Sequence, residues 1–341
     1  MHKNNEAGFT LAELLVSTVV TLMVLAAALG SFSDATRITD AARETTDTNQ
    51  NLEVATTLLV RDLIQAGQGI PPGGIYVPSG AGATALKRPS PAGSDMTFPL
   101  GTEVLPSLTP GASLGPLVLG VQTDMIHILY VDPTLSLNDV DLDIPNDGSS
   151  LTVDDTLPIT GQDRIQAGDL ILFTGNNNSA LQMVTSTSDQ TVFFGAGDPM
   201  NLNQRGAASG SVMELKTGNQ FDTVNVVDVF RVHLISYYID ATTAPQLPRL
   251  VRQVGMGPRL AIALGIENIQ FTYDLVDGDT NPTNLQDAVA PNDPHQIRKA
   301  NLFLAGRSID VNPRTRQYYR NTVATQVSLR SLAFVDRYNN E

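Results

Sequence analysis

Several residue types are absent from all or part of this 341-residue chain. It contains no cysteine, which excludes disulfide bonds, thiolate metal sites and cysteine nucleophiles. No proline occurs before Pro71, so no proline breaks a helix in that stretch. The four histidines form neither a His-x-x-x-His nor a His-Glu-x-x-His pattern, and no Gly-x-Ser-x-Gly motif occurs. The sequence therefore gives no support to a zinc site or a serine nucleophile, and we expect no enzyme.

Charge is scarce and unevenly distributed. Charged residues make up 16% of the chain and hydrophobic residues 42%, a mixture that favours an exported, β-rich protein over a cytosolic enzyme. The net charge of -14 disfavours nucleic acid as a partner, because such binding depends on neutralising phosphates. Residues 297–337 nevertheless contain eight Lys or Arg against two Asp. Segregation of this kind can orient subunits within an assembly.

A long apolar run near the N-terminus carries one charge. Residues 9–32 are 24 residues in which Glu13 is the only charged side chain. As a helix they span roughly 36 Å, enough to cross about 30 Å of hydrocarbon. A secretory signal cut after Ala26-Ala27-Ala28 or a plain membrane anchor would explain the length. Neither explains Glu13, whose carboxylate costs about 2.5–3.5 kcal/mol in such a segment and should have a specific partner.

The stretch GFTLAELLV, residues 8–16, resembles the processing site of type IV prepilins and type II secretion pseudopilins. The resemblance implies a leader that ends at Gly8, cleavage by a prepilin peptidase, and N-methylation of the new first residue, Phe9. Glu13 then occupies the fifth mature position. A carboxylate there can pair with the new amine of a neighbouring subunit, which offsets the cost of an isolated charge.

Composition divides the chain into four parts. We predict a leader over residues 1–8, an N-terminal helix over 9–67 with a transmembrane part over 9–32, a Gly/Pro-rich loop region over 68–123, and a β-rich globular head over 124–341. Gly67, Gly69 and the pair at 71–72 end the helix. Residues 67–120 hold 20 of the chain's 47 glycines and prolines, which predicts an extended surface loop with at most short strands.

Short runs of β-branched and aromatic residues follow one another from Asp124 onward, separated by Gly, Asn and Asp. They predict an α+β fold in which the long N-terminal transmembrane and amphipathic helix packs on an antiparallel β-sheet head, a pilin-like arrangement. The predicted strands cover residues 125–131, 169–175, 180–186, 191–195, 224–240, 249–254, 266–276, 299–308 and 323–335.

Two further stretches, LLVRDLIQAGQG (58–69) and GDLILFTG with LQMVTS in mid-chain, are similar to PilW-type minor pilins. The resemblance implies a non-enzymatic subunit that contributes to the assembly or priming of a type IV pilus. Its implied partners are other minor pilins, the major pilin, the prepilin peptidase, the inner-membrane assembly platform and membrane lipid. The precursor would span the inner membrane once with its head outside the cytoplasm, and the mature form would join a periplasmic or cell-surface filament. A J-like type II secretion pseudopilin and a membrane-anchored surface or DNA-binding module remain as alternatives.

Two acidic clusters raise a calcium hypothesis, because calcium takes several oxygen ligands on a flexible loop. Neither has the spacing of a helix-loop-helix calcium loop, and turn chemistry is the favoured explanation. No other cofactor is expected. The clusters are Asp139, Asp141, Asp143 and Asp147, and Asp274, Asp277 and Asp279.

The stretch NPRTRQYYR, residues 312–320, interleaves basic and aromatic residues. Such a mixture can hold single-stranded nucleic acid, so a DNA contact is the runner-up hypothesis. A polar hairpin loop between two strands is the favoured interpretation, since the rest of the chain is strongly acidic. The candidate DNA-contacting residues are Arg314, Arg316, Tyr318, Tyr319 and Arg320.

Overall fold

The computed structural model describes residues 10–71, 73–137, 142–153, 159, 164–175, 178–216, 226–243, 245–289, 292–312 and 315–334. Within this part, the chain forms one α-helix, α1 (Leu11–Gln65), and eighteen strands. The strands are β1 (Ile75–Tyr76), β2 (Val104–Leu105), β3 (Leu108–Gly111), β4 (Leu117–Val118), β5 (Val121–Gln122), β6 (Met125–Ser136), β7 (Leu142–Asp143), β8 (Ser150–Val153), β9 (Leu170–Gly175), β10 (Ser179–Met183), β11 (Ser186–Ser188), β12 (Thr191–Phe193), β13 (Val226–Asp240), β14 (Arg249–Val254), β15 (Arg259–Leu264), β16 (Ile266–Leu275), β17 (Ile297–Arg307) and β18 (Arg320–Ser328). Short 3-10 helices cover Val212–Leu215, Pro294–Gln296 and Ser331–Phe334.

The N-terminal helix is continuous over 55 residues, or about 83 Å at the helical rise. Its end follows from local chemistry: Gly67 and Gly69 take φ values of +78° and +71°, a conformation that costs glycine little. The Gly67 amide donates to the Leu129 carbonyl, which ties the turn after the helix to β6. The prediction of one long helix that stops at this turn is confirmed.

A seven-stranded antiparallel sheet forms the centre of the head, and β13 is its axis. One edge of β13 pairs with β9 through its first half and with β14 through its second half. The opposite edge pairs with β6, and β3 lies beyond β6. Strands β10 and β15 complete the two ends. Every predicted strand has an observed counterpart, but β7, β8, β15 and most of β11 were not predicted, and β18 ends at Ser328 rather than near residue 335.

A separate three-stranded antiparallel sheet, in the order β16-β17-β18, packs against the second half of α1. The helix contributes a stripe of buried residues at i, i+3 and i+4 spacing to the largest core of the head, which also takes residues from β13 to β18. An α+β fold with a long helix on antiparallel sheets is thereby confirmed. The buried apolar stripe consists of Leu52, Ala55, Leu59, Leu63 and Ala66.

The Gly/Pro-rich segment differs from its prediction. Ile75, Val77, Phe98 and Leu105 are all at most 2% exposed and pack against one face of the seven-stranded sheet. A small sheet in the order β11-β12-β8-β7 covers part of the opposite face. Coverage on both faces explains why β10 is buried at every position. The expectation of an extended surface loop is wrong, because this segment supplies core side chains between its turns.

Truncation of the helix stripe should destabilise the head. Leu59 is fully buried, and Leu59→Ala should lower the free energy of unfolding by about 2–5 kcal/mol through lost apolar contact and a residual cavity. The matched control is Ile38→Ala, because Ile38 lies on the same helix but is 70% exposed. Urea unfolding followed by circular dichroism should show a change below about 0.5 kcal/mol for this control. Equal effects of the two changes would contradict the packing described here.

Candidate functional site

The first half of α1 has no cover. The first buried residue of the helix is Thr48, so 37 helical residues precede any buried position, a length of about 55 Å. Leu11, Met23 and Phe32 are 83%, 68% and 72% exposed. The helix is long and apolar enough to cross a membrane, and its most apolar window is entirely unburied. An apolar surface of this size is characteristic of a segment that lies in lipid or packs against other chains.

Glu13 closes the N-terminus of this exposed segment. The Thr10 amide and hydroxyl both donate to Glu13 Oε2, at 3.0 and 2.9 Å, and the Glu13 amide donates to Thr10 Oγ1 at 3.3 Å. The two residues thus form a capping box, which satisfies two helix-end amides. Among the described residues, no group donates to Glu13 Oε1. That oxygen lies at the helix N-terminus, where the helix dipole favours a negative charge.

Hydroxyl groups within the apolar segment are satisfied by the helix itself. Ser17 donates to the Leu14 carbonyl at 3.0 Å, Thr18 to the Leu15 carbonyl at 2.8 Å, and Thr21 to the Ser17 carbonyl at 2.7 Å. This back-bonding removes the cost of an unpaired hydroxyl in apolar surroundings. Polar residues therefore do not prevent the segment from entering lipid or a bundle of helices.

The second half of α1 is held on the head through a buried carboxylate, Asp62, which is 0% exposed. Its Oδ2 accepts hydrogen bonds from Arg252 Nε at 2.6 Å and from the Tyr237 hydroxyl at 2.7 Å. Arg61 approaches Oδ1 at 3.3 Å. Burial and the adjacent carboxylate raise the pKa of Tyr237, so its hydroxyl stays protonated and continues to donate. The cluster connects α1 to β13 and β14 in the seven-stranded sheet.

Sequence reasoning missed Asp62. A signal was present, because Asp62 lies three residues after Leu59 and four before Ala66, on the same apolar stripe. A carboxylate at such a position needs a partner, and the reasoning applied to Glu13 would have identified it. Its partners Arg252 and Tyr237 lie about 180 residues away in sequence, and only the fold identifies them.

The predicted cleavage and methylation residues, Gly8 and Phe9, lie outside the described residues. Their roles stay predictions, and so does the role of Glu13 in subunit docking. What the structure adds is the position of Glu13: it lies in the first turn of α1, four residues after Phe9 in sequence.

The first acidic cluster is only partly described, since Asp139 and Asp141 lie outside the described residues. Asp143 is the last residue of β7. Asp147 Oδ1 accepts the Ser149 amide at 3.0 Å, which is ordinary turn chemistry. Hydrogen bonding from the Ser149 side chain and amide lowers the pKa of Asp147.

The second acidic cluster is fully described, and the Asp274 and Asp277 carboxylates accept hydrogen bonds from nearby protein groups. Asp277 Oδ1 accepts the amides of Asp279 and Asn281, both at 2.9 Å, and these bonds lower its pKa to about 2. Asp274 belongs to a separate side-chain network on the face of β16. In the described part of the chain, no three His, Asp or Glu residues are grouped as a metal site. Calcium binding stays a prediction that calorimetric titration can test.

The described residues of the basic and aromatic stretch follow β17 and reach the start of β18, two strands in which Arg307 pairs with Arg320. The Glu267 carboxylate holds Arg320, with Nε to Oε2 at 2.8 Å, and it also contacts Arg307. The Arg307 guanidinium lies 3.7 Å from the centre of the Tyr318 ring. The side chains of Arg307, Arg320 and Tyr318 are therefore engaged in contacts within the protein itself.

The other candidate DNA contacts have less definite surroundings. Arg316 takes a positive φ of 55° in the turn, and the Tyr319 amide donates to Ser308 Oγ at 3.0 Å. Arg314 lies outside the described residues. The DNA contact stays a prediction, and the polar hairpin is the observed structure.

One buried polar chain has no counterpart in the sequence reasoning. Arg88 Nε donates to His127 Nε2 at 3.0 Å, and His127 Nδ1 lies 2.7 Å from Ser236 Oγ. Burial, reinforced by the Arg88 charge, holds the pKa of His127 well below its usual value. Ser236 is 0% exposed and His127 is 1% exposed. Both side chains are therefore inaccessible to a substrate, and their hydrogen bonds connect elements of the core.

Comparison with known proteins gives one match, which falls on the N-terminal segment. Residues 3–29 match the family described as the prokaryotic N-terminal methylation motif. No curated protein and no solved structure matches the chain. The motif indicates a type IV pilin or pseudopilin, a generally structural rather than enzymatic class, with a prepilin peptidase and other pilins as general partners. Motif and apolar helix together fit a membrane-anchored precursor.

Proposed function

We propose that this chain is a non-enzymatic, PilW-like minor pilin that contributes to the assembly or priming of a type IV pilus. The observation that carries the proposal is the bare first half of α1, which begins with the capped Glu13 and is continuous with the half that packs on a β-rich head. A single helix with this much apolar surface is costly in water. It is stable in lipid before assembly and among other helices afterwards.

In this proposal, assembly transfers the apolar half of α1 from the lipid bilayer to a bundle of pilin helices. The precursor spans the inner membrane with its head outside the cytoplasm, and a prepilin peptidase cuts after Gly8. The new amine of Phe9 on one subunit meets the Glu13 carboxylate of another, at the oxygen that the capping box leaves open. Because a carboxylate in apolar surroundings is stabilised by a close cation, the pair favours correct axial register between neighbouring helices.

The remaining partners follow from this role. Other minor pilins and the major pilin pack on the apolar face, and the assembly platform of the inner membrane extracts the helix from lipid. The head, fixed through Asp62 and the stripe around Leu59, stays on the outside of the filament. It carries no role in catalysis in this proposal.

Deletion of the gene in a piliated host tests the proposal. We expect fewer surface filaments, restoration by the wild-type gene, and the protein itself in sheared filaments. Loss of type II secretion with normal pili would favour the J-like pseudopilin instead. Normal pili and normal secretion, with the protein absent from filaments, would contradict an assembly role.

The minor-pilin proposal makes a separate prediction about the alternative DNA contact. Charge reversal of Arg316 and Arg320 to Glu should leave DNA retention by piliated cells unchanged, because Arg320 already pairs with Glu267 within the head. A loss of DNA retention with intact filaments would instead establish the DNA-binding alternative. Arg43→Glu on the exposed helix is a control for the change in net charge.

A further inference from the structure

The outer face of the three-stranded sheet carries an unusual set of side chains. Along β17, Leu302 and Leu304 are buried toward the helix, while Asn301 and Phe303 point away from it. The strand register places Thr272, Asn301 and Gln326 in one row and Gln270, Phe303 and Ala324 in the next. Amides, hydroxyls and one aromatic ring therefore share a single surface.

These rows line a groove of about 540 Å³. Asn284, from the segment between β16 and β17, forms part of its wall. The side chains that line the groove include amides, hydroxyls and the Phe303 ring, and none of them carries a charge. In a chain with net charge -14, a neutral lining of this kind suits a neutral ligand.

Asp274 orients the amides behind the groove. Its Oδ1 accepts Asn301 Nδ2 at 3.1 Å and the Asn284 amide at 3.0 Å. Its Oδ2 accepts Gln326 Nε2 at 3.1 Å, and that nitrogen also donates to Asn301 Oδ1 at 2.8 Å. Gln270 is held similarly, because its Nε2 donates to the Gln122 carbonyl at 2.8 Å. The amide planes are thus fixed before any ligand arrives, which lowers the entropic cost of binding.

Because Gln270 and Gln326 are held through their side-chain nitrogens, their side-chain oxygens are left for a ligand. Within the described part of the chain, no group donates to Gln270 Oε1 or Gln326 Oε1. Both are acceptors that a hydroxyl donor can satisfy. Phe303 lies between them in the register and is 37% exposed, so it offers an apolar platform for a flat C–H surface.

We propose that this groove, which we call the amide groove, binds a neutral oligosaccharide. A sugar ring presents hydroxyl donors around its rim and C–H groups on its face, and this combination matches the fixed acceptors and the Phe303 ring. A nucleic acid fits poorly, because its phosphates need cations and no Lys or Arg lines the groove. The proposal goes beyond the role of the helix in assembly and does not rest on it.

The test uses the full chain in a detergent without a sugar headgroup, applied to an array of neutral and sialylated oligosaccharides and of single-stranded DNA. Binding of a neutral oligosaccharide is expected, and titration of the best array ligand should show at least tenfold weaker binding for Phe303→Ala and for Gln326→Ala. Thr322→Ala is the matched control, because Thr322 is an exposed residue of β18 outside the groove. It should bind as the wild type does.

Three outcomes would overturn the proposal. The first is the absence of binding to every neutral oligosaccharide on the array. The second is binding that Phe303→Ala and Gln326→Ala leave unchanged, and the third is preferential binding of the DNA probe. Circular dichroism of each variant establishes that the head is folded, and Gln326→Ala keeps the test decisive if Phe303→Ala does not fold. Because filament assembly is measured separately, failure here leaves the proposed function untouched.

Discussion

Glu13→Leu should leave membrane insertion intact and reduce entry of the protein into filaments by about a hundredfold to a thousandfold. The change removes the partner of the Phe9 amine, and breaking a buried charge pair costs about 3–5 kcal/mol, where each 1.4 kcal/mol corresponds to a factor of ten. Leucine favours lipid, so the amount of protein in the membrane fraction should not fall. Quantification of the protein in membranes and in sheared filaments measures both effects. Glu13→Ala should behave alike.

Glu13→Gln separates the two roles of this side chain. Glutamine also completes a capping box with Thr10, but it carries no charge. We therefore expect Glu13→Gln to keep the helix start and still fail in assembly. Wild-type assembly of Glu13→Gln would show that capping, and not charge pairing, is what assembly requires. Normal entry of Glu13→Leu would contradict both explanations.

Asp62→Ala should produce the largest loss of head stability, about 3–5 kcal/mol, because it leaves the Arg252 guanidinium and the Tyr237 hydroxyl without their buried acceptor. Urea unfolding of the full chain in detergent, followed by far-ultraviolet circular dichroism, measures the loss. The chain has no tryptophan, so circular dichroism is the suitable signal. Glu53→Ala is the matched control, because Glu53 is an exposed acid on the same helix.

Tyr237→Phe should be milder, at about 0.5–1.5 kcal/mol for one hydrogen bond. The double change with Asp62→Ala should be less than additive, since the two residues contact each other. Additive effects, or a loss for Asp62→Ala no larger than for Glu53→Ala, would contradict the role of Asp62 as the connection between helix and head.

Glu13 and Asp62 show what sequence reasoning can and cannot reach. Glu13 is the only charged residue in a long apolar run, so the sequence alone shows that its carboxylate needs a partner. Asp62 lies in a more polar part of the helix. Its position becomes unusual only when the apolar stripe of the helix is identified, because Asp62 then falls among the buried residues. The stripe itself was predictable from periodicity in its second half. Ile38 lies at helical spacing from the stripe but is 70% exposed, because no residue of the helix before Thr48 is buried.

Strand positions were predictable from β-branched and aromatic runs, whereas strand pairing was not. The two edges of β13 are shared among three partners, and local pattern holds no information about such long-range pairing. β15 was missed because RLAIAL, over Arg259–Leu264, is largely exposed and lacks regular alternation. In the Gly/Pro-rich segment, the many turn residues predicted a surface loop. Isolated apolar residues such as Phe98 form no periodic pattern there, yet they reach the core from irregular backbone.

The amide groove was equally hidden from sequence reasoning. The sequence analysis grouped Asp274 with the neighbouring Asp277 and Asp279 as a candidate calcium site. Its surroundings show a different arrangement, in which Asn301 and Gln326, 27 and 52 residues away in sequence, bring amide donors to it. Adjacent strands create that cluster, and the sequence spacing gives no sign of it.

The most direct test of the assembly proposal is the intact mass and N-terminal sequence of the mature protein from filaments or membranes. A chain that begins with N-methylated Phe9 is predicted, because only cleavage after Gly8 creates the amine that Glu13 is proposed to bind. A mature chain that retains residues 1–8, or one that begins at Leu29 and so lacks the apolar segment, would contradict it.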